Sequence, residues 1–250
     1  MNQEDVIGLL FLVIFIVAIM YFSFRASRKS AEVRRAAMPP ESAVPIDNTS
    51  TSVPVLTDRK PLLTIALIVV SVLITLDTGL GKSVAELDYW IIATPGSEGL
   101  ADVFSGQVWR LMTPAFIHFG PMHLLFNMLW LWDLGRIIED RKGWGMLANF
   151  VLVVGIFANL AQYFIGDSPY FGGMSGVVYG LLGYCWIQGK RNPAFGAVLN
   201  KQTVIMMFGW FVLCWTGLLG PIANWAHTAG LLAGIVWGCI EAVLPRNKAS

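Results

Sequence analysis

The sequence has few charged residues and few cysteines. Asp, Glu, Lys and Arg make up 13% of the 250 residues and hydrophobic residues 56%, a balance that excludes most water-soluble domains and predicts a polytopic membrane protein. The three cysteines, Cys185, Cys214 and Cys239, all lie in apolar stretches, which argues against a disulfide framework and a zinc cluster. The net charge of +1 gives no sign of nucleic-acid binding, and we predict no nucleic-acid partner.

The sequence contains long apolar stretches. A helix of about 20 apolar residues is long enough to cross a bilayer. We identify seven candidate spans, at residues 6–24, 61–76, 116–133, 145–165, 174–189, 203–217 and 223–243. The first predicts an N-terminal transmembrane anchor within residues 1–25, and the other six predict an all-α core over residues 61–245. Residues 26–60, rich in Pro, Ser, Thr and charge, are predicted to form a flexible cytoplasmic linker, and residues 246–250 a cytoplasmic tail.

The placement of Lys and Arg predicts the orientation of these spans. Seven basic residues lie between the first two spans, whereas the connections at 166–173 and 218–224 contain none. Because cytoplasmic loops are enriched in Lys and Arg, the N-terminus is predicted outside and the C-terminus in the cytoplasm. The acidic leader of the first span and the basic residues after it are the reverse of a signal peptide, so we expect this span to be retained.

We single out seven polar side chains near the predicted outer ends of three spans, because polar groups in lipid are costly. They are His118, His123 and Asn127, then Ser175 and Tyr179, then Asn224 and His227. A serine alone would most often be a packing residue. Together, however, these groups supply the parts of an acyl-transfer site. His227 would accept the Ser175 proton, and His123, Asn127 and the Ser175 backbone N–H would stabilise an oxyanion.

Small residues recur along one face of the fifth and seventh spans. They are Gly176, Gly180 and Gly183 in the fifth span and Ala226, Gly230, Gly234 and Gly238 in the seventh. Such faces let two helix backbones approach closely in lipid. Since the seventh span has no acidic residue before Glu241, a partner for His227 must come from another helix, and we predict that Ser175 on the fifth span is that partner.

Three stretches carry linked motifs. They are "WRLMTPAFIHFGPMHLLFNMLWLWDLG" (109–135), "YFGGMSGVVYGLLGYCW" (170–186) and "ANWAHTAGLLAG" (223–234), which contain a WR dipeptide, an HxxxN pair, a GxSG motif and an AHxxG motif. In this order and spacing they resemble the rhomboid intramembrane serine proteases, especially the bacterial GlpG type. The resemblance implies a rhomboid-like six-helix bundle, here with one additional N-terminal transmembrane helix.

The resemblance also implies roles for individual residues. Ser175 would be the nucleophile and His227 the general base, as a dyad, with oxyanion support from His123 and Asn127. Tyr179 would pack against His227, and Gly173 and Asn224 would have supporting roles. The implied activity is cleavage of single-span membrane protein substrates near the outer face of the bacterial inner membrane, with no metal or other cofactor. Substrates would enter near the third and sixth spans, where the gate candidates are Phe208, Trp210, Phe211 and Trp215.

Two alternatives from other classes stay open at this point. A rhomboid-like protein could bind membrane clients without cutting them, although Ser175 and His227 are both present. A metal- or quinone-binding membrane protein could use His118, His123 and His227, but the first two are five residues apart, without a carboxylate ligand nearby.

Two further residues, Asp167 and Trp225, lie near the predicted site. Asp167 is the carboxylate near the site on the outer side, and we interpret it as a solvated loop residue rather than a third catalytic member. Trp225 stands where a small residue is also found in relatives. We therefore expect the cap over the site to differ in shape.

Overall fold

The computed structural model describes residues 60–166 and 168–243. The predicted anchor (1–25), nearly all of the predicted linker (26–60) and the predicted tail (246–250) lie outside these residues. Throughout the described ranges every regular element is helical and no strand is present. The prediction of an all-α fold is therefore confirmed.

Six helices of 15 or more residues dominate the described part of the chain. They are α1 (Leu62–Asp77), α4 (Pro121–Lys142), α5 (Trp144–Gly166), α6 (Ser175–Arg191), α7 (Lys201–Trp215) and α8 (Asn224–Val243). The connection from α1 to α4 contains two short helices, α2 (Val84–Trp90) and α3 (Ala101–Phe104), and 3-10 turns at Val108–Leu111 and Thr113–Phe116. A further 3-10 turn, Pro193–Phe195, lies between α6 and α7. By length and composition alone, α5 and α8 are long and apolar enough to cross a membrane.

The candidate span at 116–133 and the corresponding helix differ at both ends. The corresponding helix, α4, begins at Pro121 and continues to Lys142. Gly120 has a φ of 97°, which is outside the helical region, and Pro121 suits the first helical position because its missing N–H would have no partner there. His118 therefore lies in the segment before α4 and not in the helix. The other five helices begin and end no more than two residues from the predicted spans.

Helices α6 and α8 form the most closely packed helix pair. A Cβ atom added to Gly230 would overlap the carbonyl oxygen of Gly176, and one added to Gly234 would overlap that of Gly180. The two backbones are therefore in direct contact, which only glycine permits at these positions. This contact is the one that the spacing of small residues predicts.

Arg110, from the WR dipeptide, holds the long connection between α1 and α4 in place. Its guanidinium donates to the carbonyl oxygens of Asp88 at 2.6 Å and Ile91 at 2.8 Å, and to the side chain of Gln107 at 2.7 Å. Arg110 is only 5% exposed, so its charge is compensated by carbonyl oxygens of the chain itself. The connection is thereby fastened on both sides of α3.

At the end of the bundle away from Ser175, Glu139 of α4 caps the start of α1. Its carboxylate accepts hydrogen bonds from the backbone N–H groups of Leu63 and Thr64, both at 2.8 Å, and from the Thr64 hydroxyl at 2.7 Å. These N–H groups lie in the first turn, where a helix offers them no internal partner. The residue before the helix, Pro61, makes no side-chain capping bond, so Glu139 supplies the cap from another helix.

We expect Glu139→Ala to lower the free energy of unfolding by about 2–4 kcal/mol, because it removes hydrogen bonds to a charged group and leaves buried N–H donors unpaired. Glu139→Gln keeps an acceptor oxygen and should cost less. The measurement is thermal unfolding of the purified protein in detergent. The control is Asp133→Ala on the same helix, since the Asp133 side chain is 48% exposed and pairs with Arg136 at 3.5 Å, an interaction worth little. Equal shifts for both variants would contradict the capping role.

Candidate active site

Ser175 is the first residue of α6. The first N–H groups of a helix lack internal partners and carry the positive end of the helix dipole, so the backbone beside Ser175 can donate to a negatively charged oxygen. The loop before it is held by two hydrogen bonds. Gly173 N–H donates to the Pro114 carbonyl at 3.0 Å, and Met174 N–H donates to His118 Nε2 at 3.3 Å. The serine is thus fixed both by its helix and by its loop.

Gly173 allows His123 to approach this loop. Its φ is 120°, a value that residues with a side chain rarely adopt. A Cβ atom at Gly173 would also lie 2.7 Å from His123 Nε2 and 3.5 Å from Ser175 Oγ. The glycine is therefore required both by the backbone and by the space between the histidine and the serine.

His227 on α8 contacts Ser175 directly. The distance from His227 Nε2 to Ser175 Oγ is 2.8 Å, although the two residues are 52 positions apart in the sequence. His227 is 5% exposed, and its Nδ1 has no hydrogen-bond partner among the described residues. The Tyr179 ring packs on the imidazole with centroids 4.8 Å apart, and the Tyr179 hydroxyl donates to the Met207 carbonyl at 3.3 Å. Tyr179 therefore holds the histidine from the side of α6.

His123 and Asn127 lie on the first two turns of α4, and their hydrogen bonds differ. The Phe119 N–H donates to His123 Nδ1 at 3.2 Å. Because a neutral imidazole that accepts at one nitrogen carries its proton on the other, we assign the proton to His123 Nε2, the atom nearest to Gly173. The Asn127 side-chain amide donates to the backbone carbonyl of His123 at 2.9 Å. The amide N–H of Asn127 is thus bonded within its own helix.

His118, one of the three histidines considered as ligands, is fully buried and bonded mainly to backbone atoms. Its Nε2 accepts from Met174 N–H, and its Nδ1 lies 3.1 Å from the Phe116 carbonyl and 3.3 Å from Thr75 Oγ1. His118 therefore connects α1 to the loop that precedes Ser175. Over the described ranges, no group of three His, Cys, Asp or Glu side chains is placed to hold a metal ion.

A family model for the rhomboid domain matches residues 105–243, more than half of the chain. The chain belongs to the rhomboid family. Among curated relatives, it is 39% identical to the rhomboid protease GlpG of Klebsiella pneumoniae over 144 residues, 57% of this chain and 52% of the relative. It is 40% identical to the rhomboid protease GlpG of Salmonella choleraesuis over 147 residues, 58% of this chain and 53% of the relative. The chain spans about half the length of these curated relatives.

A residue beside the candidate site is one that sequence analysis missed. Gln162 of α5 accepts hydrogen bonds at its side-chain oxygen from the N–H groups of Trp225 and Ala226, at 3.1 and 3.2 Å. It therefore caps the start of the helix that carries His227. Its polarity within the apolar stretch of the fourth span is a signal that could have identified it. Asn159, one turn earlier on α5, is another polar residue that sequence analysis missed. Its side-chain amide donates to the Leu111 carbonyl at 2.9 Å.

Asn224, predicted to support the rhomboid site, joins the start of α8 to the end of α7. Its side-chain N–H donates to the Cys214 carbonyl at 3.1 Å. Its side-chain oxygen is buried and has no hydrogen-bond partner within the described ranges. Asp167, interpreted as a solvated loop residue, lies outside the described residues.

The gate candidates on α7 face different neighbours. Trp210 packs against Phe126 of α4 with centroids 5.8 Å apart. Phe211 packs on Tyr179 at 5.4 Å, whereas Phe208 packs on Trp186 of α6 at 5.3 Å. Trp210 is thus the candidate that lies between α7 and α4.

Proposed function

We propose that this rhomboid is an intramembrane serine endopeptidase with Ser175 as nucleophile and His227 as general base. The observation that carries the proposal is the 2.8 Å distance between His227 Nε2 and Ser175 Oγ. A serine hydroxyl is a weak nucleophile until an adjacent base accepts its proton, and this distance is within reach of direct proton transfer. The names of the relatives, which are rhomboid proteases, support the same activity.

In the proposed reaction, the Ser175 proton passes to His227 Nε2 while Oγ bonds to the carbonyl carbon of the substrate. The carbonyl oxygen becomes negatively charged and accepts hydrogen bonds from the start of α6 and from His123 Nε2–H. The peptide C–N bond then breaks, and His227 returns the proton to the leaving amine. Water then attacks the acyl-enzyme. His227 accepts a proton from the water and returns it to Ser175 Oγ as the acyl bond breaks.

We propose a dyad because His227 Nδ1 has no hydrogen-bond partner in the described ranges. Asp167 lies outside those ranges, and the variant Asp167→Ala tests whether its carboxylate is a third member of the catalytic group. We expect the variant to keep most of its activity, since a solvated loop carboxylate would not orient the imidazole. The measurement is the initial rate of cleavage of a transmembrane peptide. A loss as large as that of His227→Ala would show that the catalytic group has a third member.

We propose that cleavage occurs near the outer face of a bacterial inner membrane, with the N-terminus outside. Ser175, Pro121 and Asn224 each begin a helix, and the distribution of Lys and Arg favours an outward position for these helix ends. A transmembrane substrate hides its carbonyls in backbone hydrogen bonds. We therefore expect single-span substrates with Gly, Pro or small residues near their outer end, entering between α4 and α7 past Phe126 and Trp210.

The proposal is tested with the full chain reconstituted in liposomes and a panel of single-span peptides that carry Gly or Ala near one end. We expect mass spectrometry to find products cut within the membrane segment for the parent and none for Ser175→Ala. Peptide binding without products in the parent would favour a client-binding protein. Loss of cleavage on adding a chelator would favour the metal-dependent alternative.

We expect His123→Ala to lower kcat by about 10²- to 10³-fold, as removal of an oxyanion donor does. Asn127→Ala should lower kcat less, because the Asn127 amide already donates to the His123 carbonyl at 2.9 Å. The measurement is kcat at saturating peptide, with thermal unfolding as the check on folding. Equal losses in the two variants would contradict the assignment of His123 Nε2 as the principal side-chain donor.

A further inference from the structure

The turn that follows α1 contains an unusual backbone conformation at Leu80. Its φ is 61°, and among the described residues Leu80 is the one residue with a side chain whose φ is positive. This left-handed region is sterically unfavourable for a residue with a Cβ atom, and such residues are concentrated at functional sites, where surrounding contacts enforce the conformation. Leu80 is 8% exposed and its N–H donates to the Thr75 carbonyl at 2.8 Å. Contacts of both its side chain and its backbone therefore hold the turn.

This turn holds the segment that precedes α4. The Gly120 N–H donates to the Leu80 carbonyl at 3.1 Å, and the Gly120 carbonyl in turn accepts from Leu124 N–H at 3.2 Å in the first turn of α4. Gly81, the next residue of the turn, has a φ of 78°, and a Cβ atom there would lie 2.5 Å from Cδ1 of the Phe119 ring. The turn thus fixes the peptide group that joins Phe119 to Gly120 and also the Phe119 ring.

Phe119 is in turn the residue that bonds to His123. Its N–H donates to His123 Nδ1 at 3.2 Å, which assigns the ring proton to Nε2. The same hydrogen bond sets the plane of the imidazole, and Nε2 lies 2.7 Å from the position that a Cβ atom of Gly173 would occupy. The tautomer and the orientation of His123 therefore depend on where the turn at Leu80 holds Phe119.

We propose that Leu80 is a positioning residue for the oxyanion site, because its left-handed turn keeps Phe119 where the Phe119 N–H orients His123. The inference rests on the proposed protease function, in which His123 Nε2–H is an oxyanion donor. With φ in an ordinary region, the Leu80 carbonyl would turn away from Gly120 and release this segment. A displacement of about 1 Å at a catalytic group can cost about 10²-fold in rate, so the effect falls on turnover and not on peptide binding.

The test compares two substitutions of Leu80 in the full chain reconstituted in liposomes. Glycine adopts a positive φ without steric cost but removes the buried side chain. Valine keeps an apolar side chain, but as a β-branched residue it is strongly disfavoured at a positive φ. We expect Leu80→Val to lower kcat for a transmembrane peptide by about 10- to 10²-fold with a parental KM, and Leu80→Gly to keep a kcat near that of the parent. If Leu80 only filled space, Leu80→Gly would be the more damaging change.

A double-mutant cycle shows whether Leu80 acts through His123. In the His123→Ala background, Leu80→Val should change kcat little, because the group that the turn orients is absent. Gly81→Ala, whose Cβ would press on the Phe119 ring, should show the same dependence on His123, and it carries the comparison if Leu80→Val does not fold. Single-turnover cleavage with excess enzyme measures the slow variants, and thermal unfolding checks that each variant is folded.

The matched control is Gly96→Val, a β-branched residue introduced at another positive φ in the connection between α1 and α4. Gly96 has a φ of 87°, and no atom lies within 4 Å of the position of its Cβ, so kcat should stay near that of the parent.

A loss from Leu80→Val that is equally large with and without His123 would overturn the positioning role and leave the protease proposal intact. So would a larger loss of kcat in Leu80→Gly than in Leu80→Val. If the parent gives no cleavage products, it is the proposed protease function that fails.

Discussion

Ser175→Ala and His227→Ala will each reduce the cleavage of a transmembrane peptide by about 10³- to 10⁶-fold, and the double variant will be no less active than either single variant. The reason is that in the proposed mechanism the two side chains act as one unit. Without the imidazole the hydroxyl is not activated, and without the hydroxyl the imidazole has no proton to accept. The measurement is single-turnover cleavage with excess enzyme in liposomes.

A matched control is available one residue after the proposed base. Thr228 donates its hydroxyl to the Asn224 carbonyl at 3.0 Å within the same helix, and Thr228→Val keeps its shape, so this variant should stay near the parental rate. Thermal unfolding of all variants separates a chemical loss from misfolding. If His227→Ala kept a tenth of the parental activity, or if the two single losses multiplied in the double variant, another group would have to be the base.

Gly230→Ala will have the second large effect, because its Cβ would overlap the Gly176 carbonyl oxygen where α6 and α8 are in contact. Overpacking of this kind costs about 1–3 kcal/mol and sometimes more. It would also push His227 away from Ser175, and a displacement of about 1 Å at a catalytic group can cost about 10²-fold in rate. We therefore expect a lower unfolding temperature and a loss of peptide cleavage together.

The matched control for this variant is Gly145→Ala in the first turn of α5. No atom lies within 4 Å of the position that its Cβ would occupy, and alanine is a better helix former than glycine by about 1 kcal/mol. Its unfolding temperature should be equal to or above that of the parent. Parental stability and activity in Gly230→Ala would mean that α6 and α8 are further apart than the structure has them.

The sequence was informative about helices because hydropathy and the spacing of small residues are local properties. Five long helices lie within two residues of the predicted spans. The candidate span at 116–133 begins before α4, because residues 116–120 are apolar enough to continue a span, whereas Gly120 and Pro121 set the helix boundary through backbone geometry. His118 was consequently assigned to a helix, although it is a buried connector before that helix.

The sequence by itself determined the all-helical class, the pairing of α6 with α8 and the short set of candidate residues that includes Ser175 and His227. Only the tertiary structure decided what each polar group bonds to. In the structure the side-chain amide of Asn127 donates to a carbonyl of its own helix, and Gln162 accepts from an N–H group at the start of α8. The physical reason is that burial and periodicity follow from neighbours along the chain, whereas a hydrogen bond joins groups tens of residues apart and depends on distances of a fraction of an ångström.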